Sequence, residues 1–195
     1  MGRKRTIDRD ALMDGVESVA RREGVSGLSI DALAKEVGIS KSSVVYDCGS
    51  KAGLLAAFTR HKIGQYRERF GDALQAHAGQ PNAWLRAMID MGREGPSDDD
   101  VAITMLISAS MGEHAECREL MRASLAEDAR RVAADAEDQG KMLQLLLAVH
   151  GLLFLECFEL QRFDETTRQE LLDGLMKTLE TDKGSSSTAS VPLDK

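Results

Sequence analysis

The chain has 195 residues, a formal net charge of −7 and a hydrophobic share of 43%. These values fit one folded domain, or a small domain joined to a larger one, and the counts of 3 prolines and 17 glycines exclude collagen-like and proline-rich disordered chains. The 3 cysteines form no Cys-x-x-Cys pair. Their odd number and wide spacing predict free thiols in a reducing cytoplasm rather than a disulfide framework.

The acidic total hides an uneven distribution of charge along the chain. Residues 1–51 carry 9 Lys or Arg against 8 Asp or Glu, whereas residues 52–195 carry 16 against 24. Basic residues also cluster at the start, as Arg3, Lys4 and Arg5. Because local field decides whether nucleic acid is attracted, the net charge does not exclude a DNA-binding N-terminal region.

The first predicted helix covers 9–23. Its apolar residues share one helical face, because they lie four, seven and eight positions after the first of them: Leu12, Val16, Val19 and Ala20. Gly24 follows at the position of a C-terminal cap.

Two short helices follow, separated by a three-residue turn. Ser29 is a predicted N-cap for Ile30–Val37, and Ser40 for a helix over 41–46. Only 38–40 lie between them, beginning with a glycine. A helix, a glycine-containing turn of this length and a second helix are the signature of a helix-turn-helix.

The rest of the chain also predicts helices and no β-hairpin. We expect them over 50–77, 82–93, 97–112, 116–139 and 141–162, and from Thr166 or Thr167 to 179. The fold class is therefore all-α, with a helix-turn-helix domain over 1–50 and a helical bundle domain over 51–180. The serine-rich tail 181–195 lacks periodicity, which predicts disorder.

No membrane segment is expected. The most apolar stretch, 142–160, carries Gln144, His150, Glu156 and Glu159, which favours a packed helix over a membrane span. The basic N-terminus is not followed by an apolar signal core.

Three stretches near the N-terminus carry a recognisable pattern. Residues 28–41 read LSIDALAKEVGISK, 44–46 read VVY and 50–55 read SKAGLL. In this spacing they resemble the tetracycline-repressor (TetR) family over about the first 55 residues, while the remainder matches only in its succession of helices. The resemblance implies a homodimeric, ligand-responsive transcriptional regulator, most often a repressor, with a three-helix DNA-binding head and a ligand-binding body.

The residue types in the head suit that role. A recognition helix in the major groove needs small and polar residues near its N-terminus, while helix caps direct backbone N–H groups at phosphates. The basic N-terminal arm, a tyrosine and a lysine add further contacts. The predicted DNA-binding residues are Arg3, Lys4, Arg5, Ser29, Ser40, Lys41, Ser42, Ser43, Tyr46 and Lys51.

The sequence departs from the family pattern directly after Ser43. The family usually has an aromatic residue at Val45, histidine at Asp47, phenylalanine at Cys48 and proline at Gly49. Asp47 adds a negative charge near the phosphates, so a helical small-molecule-binding protein with a degenerate head is a second hypothesis. Cys48 is either a redox switch, if exposed with a depressed pKa, or a small apolar residue in the place of phenylalanine.

The last two predicted helices carry the expected dimer surface. The helix over 141–162 is apolar on nearly all sides, and the last one has a narrow apolar stripe: Leu171, Leu172, Leu175, Met176 and Leu179. Two such helices from each subunit would form a four-helix interface. The alternative is a helix fully buried within one subunit. A homodimer would place two recognition helices about 34 Å apart, which suits a palindromic operator.

A small-molecule effector is the expected second partner. Methionine and aromatic residues with a few polar groups suit an apolar pocket, although the same stripes also occur in ordinary cores. The predicted ligand-binding residues are Trp84, Met88, Met91, Met105, Ser108, His150 and Phe154, and Phe158 continues the last series.

No nucleophile elbow, P-loop or dinucleotide motif is present, so we expect neither an enzyme nor a cofactor. An all-helical enzyme is the third hypothesis. His114 and Cys117 are spaced like two metal ligands, but the sequence supplies no evident third or fourth ligand, and no metal site is expected.

Overall fold

The computed structural model describes residues 8–134 and 136–180. Within these ranges the chain forms α-helices and no strand, which confirms the all-α prediction. The helices are α1 (Arg9–Gly27), α2 (Ile30–Val37), α3 (Lys41–Cys48), α4 (Lys51–Ala76), α5 (Ala83–Met91), α6 (Asp98–Glu113), α7 (Ala115–Ala134), α8 (Gln139–Cys157) and α9 (Glu165–Glu180). The predicted arm Arg3, Lys4 and Arg5 and the predicted disordered tail 181–195 lie outside the described residues.

Short-range caps fix the helices of the head. The hydroxyls of Ser29, Ser40 and Ser50 accept the backbone N–H groups of Ala32, Ser43 and Gly53, each at 3.1 Å. All three predicted caps are confirmed. Two glycines provide the predicted stops: Gly38 ends α2 at a φ of 69°, and Gly24 interrupts α1 at a φ of 71°.

Two boundaries in the body differ from the prediction. The predicted stop at Gly140 is wrong, because the carboxylate of Asp138 accepts the Lys141 N–H at 3.0 Å and α8 begins at Gln139, two residues earlier than predicted. Gly140 therefore lies in the first turn of α8, and α7 ends at Ala134 rather than 139.

The other end of α8 and the start of α9 also differ. Helix α8 ends at Cys157 rather than 162, and Glu159 takes a left-handed conformation with a φ of 52°. The cap of α9 is Asp164, not Thr166 or Thr167, since Asp164 Oδ1 accepts the Thr167 N–H at 2.8 Å.

Two apolar clusters hold the helices together, and they do not divide at residue 50. The head cluster joins α1–α3 to the first half of α4 and to α6 and α7. Its buried members include Leu12, Val16, Val19, Leu28, Leu33, Val44, Leu54, Leu55, Phe58, Leu106 and Cys117. The body cluster joins the second half of α4 to α5, α8, α9 and the end of α7, with Phe70, Leu85, Met88, Ile89, Val132, Met142, Leu146, Val149, Leu172 and Leu179.

A buried ion pair fixes the junction of α8 and α9. Glu156 is 0% exposed and accepts a 2.6 Å hydrogen bond from an Arg168 guanidinium nitrogen. Glu156 Oε1 also accepts the Phe163 N–H at 3.3 Å. Gly95 lies against the guanidinium with a φ of 71°, and a Cβ there would come within 2.5 Å of the Arg168 guanidinium carbon. The loop before α6 therefore has room for glycine only.

The substitution Gly95→Ala is expected to destabilise the protein by about 1–3 kcal/mol, because it adds a steric contact to an unfavourable backbone conformation. Gly79→Ala is the matched control, since its φ is 78° and a Cβ there meets nothing within 4 Å. Urea unfolding of both variants measures the difference. Equal losses of unfolding free energy in the two variants would show that the contact with Arg168 does not affect stability.

Candidate functional site

Helix α3 presents a polar edge to solvent on one side of the head. Lys41, Ser42, Val45 and Tyr46 are exposed, and Tyr46 is 79% exposed, whereas Val44 is buried in the head cluster. An 8-residue helix with one buried anchor and a projecting edge has the shape required to enter a DNA groove.

The predicted contact residues on this edge already have hydrogen-bond partners within the head. Lys41 Nζ lies 2.8 Å from Asp31 Oδ2 on α2, and both side chains are mostly exposed. The Ser40 hydroxyl lies 2.9 Å from that of Ser42 and 2.7 Å from that of Ser43. Ser43 is half-buried, so Lys41 and Ser42 are the more accessible groups. Asp31 was not identified from the sequence as a partner of Lys41.

The negative charge of Asp47 has a partner within the head. The Arg9 side chain places Nε 3.6 Å from Asp47 Oδ2. This pairing offsets a charge that would otherwise face phosphates, and it weakens the argument for a degenerate head. The pairing joins α1 to α3 and could not be seen from local sequence.

The structure favours the packing interpretation of Cys48 over the redox one. Cys48 is half-buried and packs against the head cluster. Burial, followed by the charge of Asp47, raises the pKa of the Cys48 thiol. A reactive cysteine needs the opposite shift, so the redox hypothesis gains no support from the surroundings of Cys48.

The N-terminus of α4 adds a free cation next to this edge. Lys51 is exposed, and within the described ranges no carboxylate lies within 4.0 Å of its ammonium group. Ser50, the cap of α4, precedes it directly and is also exposed. The cap and the lysine together offer the backbone N–H groups and the positive charge that bind a phosphate.

The predicted effector residues fall into three different environments. On α5, Met88 is buried in the body cluster, and Trp84 and Met91 pack against it. On α6, Met105 and Ser108 are half-buried and belong to neither cluster. On α8, His150 is half-buried, whereas Phe154 is 52% exposed with its ring 4.6 Å from that of Phe158. The set stays a prediction.

A group of charged residues around Trp84 was not predicted. Asp128 is 4% exposed, and its Oδ1 lies 3.2 Å from a guanidinium nitrogen of Arg67. Arg67 and Arg131 each place a guanidinium 5.5–5.6 Å from the Trp84 ring centre. The buried indole nitrogen of Trp84 has no hydrogen-bond partner of normal geometry among the described residues.

Burial dominates the electrostatics of this group. It raises the pKa of Asp128 despite the nearby Arg67. Burial also lowers the pKa of His150, although the negative charge of Asp128 acts in the opposite direction. Burial, followed by that same charge, raises the pKa of Tyr66 to about 12. Interacting titratable groups around a half-buried indole are typical of a site that accepts a polar part of a ligand.

The metal-ligand spacing of His114 and Cys117 in the sequence does not correspond to a group of ligands in the described part of the structure. Within the described ranges no three His, Cys, Asp or Glu side chains are grouped as metal ligands. Cys117 is fully buried in the head cluster, and His114 Nε2 lies 3.8 Å from a Glu113 oxygen.

Helices α8 and α9 leave an apolar face uncovered. Four large side chains on it and beside it are exposed: Leu147 (68%), Phe154 (52%), Leu160 (65%) and Leu171 (44%). The alternative of an α8 fully buried within one subunit is therefore wrong. Gly151 and Gly174 lie on the same two helices, and a Cβ at either would meet no atom within 4 Å. We name this surface the α8–α9 face.

By length and composition alone, α8 could also cross a membrane, and 33% of that stretch is buried in the subunit. Its buried side packs against α5, α7 and α9, and it carries the buried Glu156. These contacts are those of a helix in a globular body with one free apolar side.

A helix-turn-helix head joined to a helical body defines the class of this protein. The family model for the tetracyclin repressor-like C-terminal domain matches residues 82–180. The chain therefore belongs to the TetR family of transcriptional regulators. No match to a curated protein was found.

Solved structures of regulators share this fold. A transcriptional regulator from Rhodococcus sp. Rha1 superposes with a TM-score of 0.71 at 19% identity, over 89% of this chain and 97% of the other. A TetR transcription regulator from Haloarcula marismortui gives 0.68 at 17%, over 88% and 96%. The multidrug binding protein EbrR, solved with imidazole, gives 0.62 at 20%, over 86% and 88%.

Proposed function

We propose that this protein is a homodimeric repressor of the cytoplasm that binds a palindromic operator through α3 and releases it when a small molecule binds in the body. The observation that carries the proposal is the polar edge of α3, with Lys41, Ser42 and Tyr46 exposed beside the capped N-terminus of α4. The proposed activity requires no catalytic residue and no cofactor.

The α8–α9 face supports the dimer. Isolated soluble subunits rarely expose several large apolar side chains on one surface, and Leu147 is the most exposed of them at 68%. The glycines at 151 and 174 would allow helices of two subunits to approach closely. Pairing of two heads then doubles the DNA contacts and matches a two-fold symmetric operator.

Helix α4 supports the coupling between effector and DNA. Its first half belongs to the head cluster and its second half, from Tyr66 and Phe70 onward, to the body cluster. A ligand beside Trp84, whose ring lies 4.5 Å from that of Phe70, would act directly on the second half. Such a ligand changes DNA affinity only if it prefers one spacing of the two heads. The similarity to EbrR supports a small-molecule ligand.

Fluorescence anisotropy with labelled duplexes from the DNA flanking the gene tests the proposal. Lys41→Ala is expected to weaken operator binding about tenfold. It should also make the affinity less dependent on salt concentration, by an amount that corresponds to the loss of about two phosphate contacts per dimer. Arg122→Ala removes one positive charge from an exposed position on α7, outside both α3 and the α8–α9 face, and should bind as the unchanged protein does. Equal affinity for flanking and random DNA would instead support the small-molecule-binding protein with a degenerate head.

A further inference from the structure

A cleft separates the head from α6, apart from the residues predicted to bind the effector. It has a volume of about 370 Å³. Its walls come from the last turn of α1, the start of α4 and the second half of α6: Val25, Ser26, Lys51, Leu55, Leu106, Ala109, Ser110 and Glu113. Its size lies within the roughly 300–1,000 Å³ of small-molecule sites.

The cleft combines a largely buried apolar floor with two charged residues at its rim. Leu55 and Leu106 are almost completely buried and form the floor with the half-buried Val25. The Ser110 hydroxyl donates to the Leu106 carbonyl at 2.7 Å and is satisfied. Two charged residues stand at the rim, the carboxylate of Glu113 and the ammonium group of Lys51, and Lys51 has no ionic partner among the described residues.

We propose that this cleft is a second ligand site, for a small amphipathic anion whose apolar part contacts Leu55 and Leu106 and whose acid group pairs with Lys51. An apolar chain lies on Leu55 and Leu106 and covers the parts of Val25 and Ala109 that still contact water, and a carboxylate pairs with the only ammonium that lines the cleft in the described part of the chain. A cationic amphiphile of the same length gains the first interaction and not the second.

The position of Lys51 links this site to DNA. Lys51 is the first residue of α4, beside the polar edge of α3, where a phosphate is expected. One ammonium group cannot pair fully with both a ligand carboxylate and a DNA phosphate. The ligand therefore weakens operator binding, and the operator weakens ligand binding by the same factor. This coupling rests on the proposed DNA-binding function, whereas the ligand site itself does not.

Methyl NMR of the full chain with decanoate as the probe tests the site. Decanoate is expected to shift the methyl signals of Val25, Leu55 and Leu106, and decyltrimethylammonium is expected to bind there at least tenfold more weakly. Lys51→Met should reduce decanoate affinity about tenfold, as loss of a charge-assisted hydrogen bond does, while Lys41→Met, outside the cleft, leaves it unchanged.

A second pair of variants tests the cleft without changing charge. Ala109→Trp places a large side chain in the cleft from an exposed position, and Ala123→Trp makes the same change on the exposed side of α7. The first should abolish the methyl shifts and the second should preserve them. Shifts confined to the body cluster, equal binding of the cation, or binding unaffected by Ala109→Trp would overturn the proposal.

Operator titration separates the two proposals. If decanoate binds in the cleft and weakens operator binding, both stand. If it binds in the cleft while the protein fails to prefer operator DNA, the site stands and the repressor function fails. If operator binding is specific and decanoate produces no shifts in the cleft, the ligand site alone is wrong.

Discussion

Replacing Arg168 with methionine is expected to lower the free energy of unfolding by about 3–5 kcal/mol, since it leaves a buried carboxylate without its partner. Glu156 is 0% exposed and takes three of its hydrogen bonds from the Arg168 guanidinium. Water cannot replace that guanidinium without opening the junction of α8 and α9. This is the largest loss of stability that we expect from a single substitution.

Urea unfolding at a fixed protein concentration measures this effect, because the proposed dimerisation would make stability depend on concentration. Arg162→Met is the control: Arg162 is 54% exposed and pairs with Asp98 and Glu159, so its loss should cost about 1 kcal/mol or less. Adding Glu156→Gln to Arg168→Met should recover much of the loss, since it removes the unpaired charge and keeps an acceptor for the Phe163 N–H. Equal losses in the two single variants would contradict the role of burial.

The substitution Leu147→Arg is expected to convert the proposed dimer to single subunits and to weaken operator binding by about a hundredfold or more, because the two half-sites are then bound independently. Leu147 is 68% exposed in the isolated subunit, so the subunit itself should remain folded. An arginine on the α8–α9 face would have to lose its hydration on association without gaining a partner.

Sedimentation velocity and anisotropy on the same samples test this expectation. Leu125→Arg is the matched control, since Leu125 is 47% exposed but lies on α7. It should leave both the dimer and the operator affinity unchanged. A Leu147→Arg protein that remains dimeric would place the subunit contact elsewhere.

Local signals in the sequence predicted the head well. Each of Ser29, Ser40 and Ser50 bonds a backbone N–H three residues ahead, so its role depends on nothing distant. Gly38 likewise ends α2 through its own positive φ. Local chemistry of this kind is visible in a single sequence.

The body was harder because competing local signals gave the wrong boundaries. Gly140 looked like a stop, but Asp138 caps α8 before it and a glycine is tolerated in a first turn. The continuous apolar pattern also carried the predicted α8 past Cys157, although Glu159 turns the chain away with a positive φ. Periodicity alone did not reveal that turn.

Contacts between distant residues were not predictable from one sequence. Arg67 and Asp128 lie 3.2 Å apart on α4 and α7, and Arg9 and Asp47 lie 3.6 Å apart on α1 and α3. Each pair is a common charge combination, and only the packing of the helices selects it. Both pairs affect a predicted site. Arg67 lies beside Trp84, one of the predicted effector residues, and Arg9 offsets the charge of Asp47 beside the α3 edge.

The head cluster has a practical consequence for protein engineering. Its core includes Leu106 of α6 and Cys117 of α7, and Arg21 of α1 pairs with Asp99 of α6 at 2.7 Å. A chimaera that exchanges residues 8–50 alone would set foreign side chains against an unchanged α6. Grafting a new operator preference onto this body therefore requires either substituting only the exposed edge of α3 or transplanting the facing side of α6 together with the head.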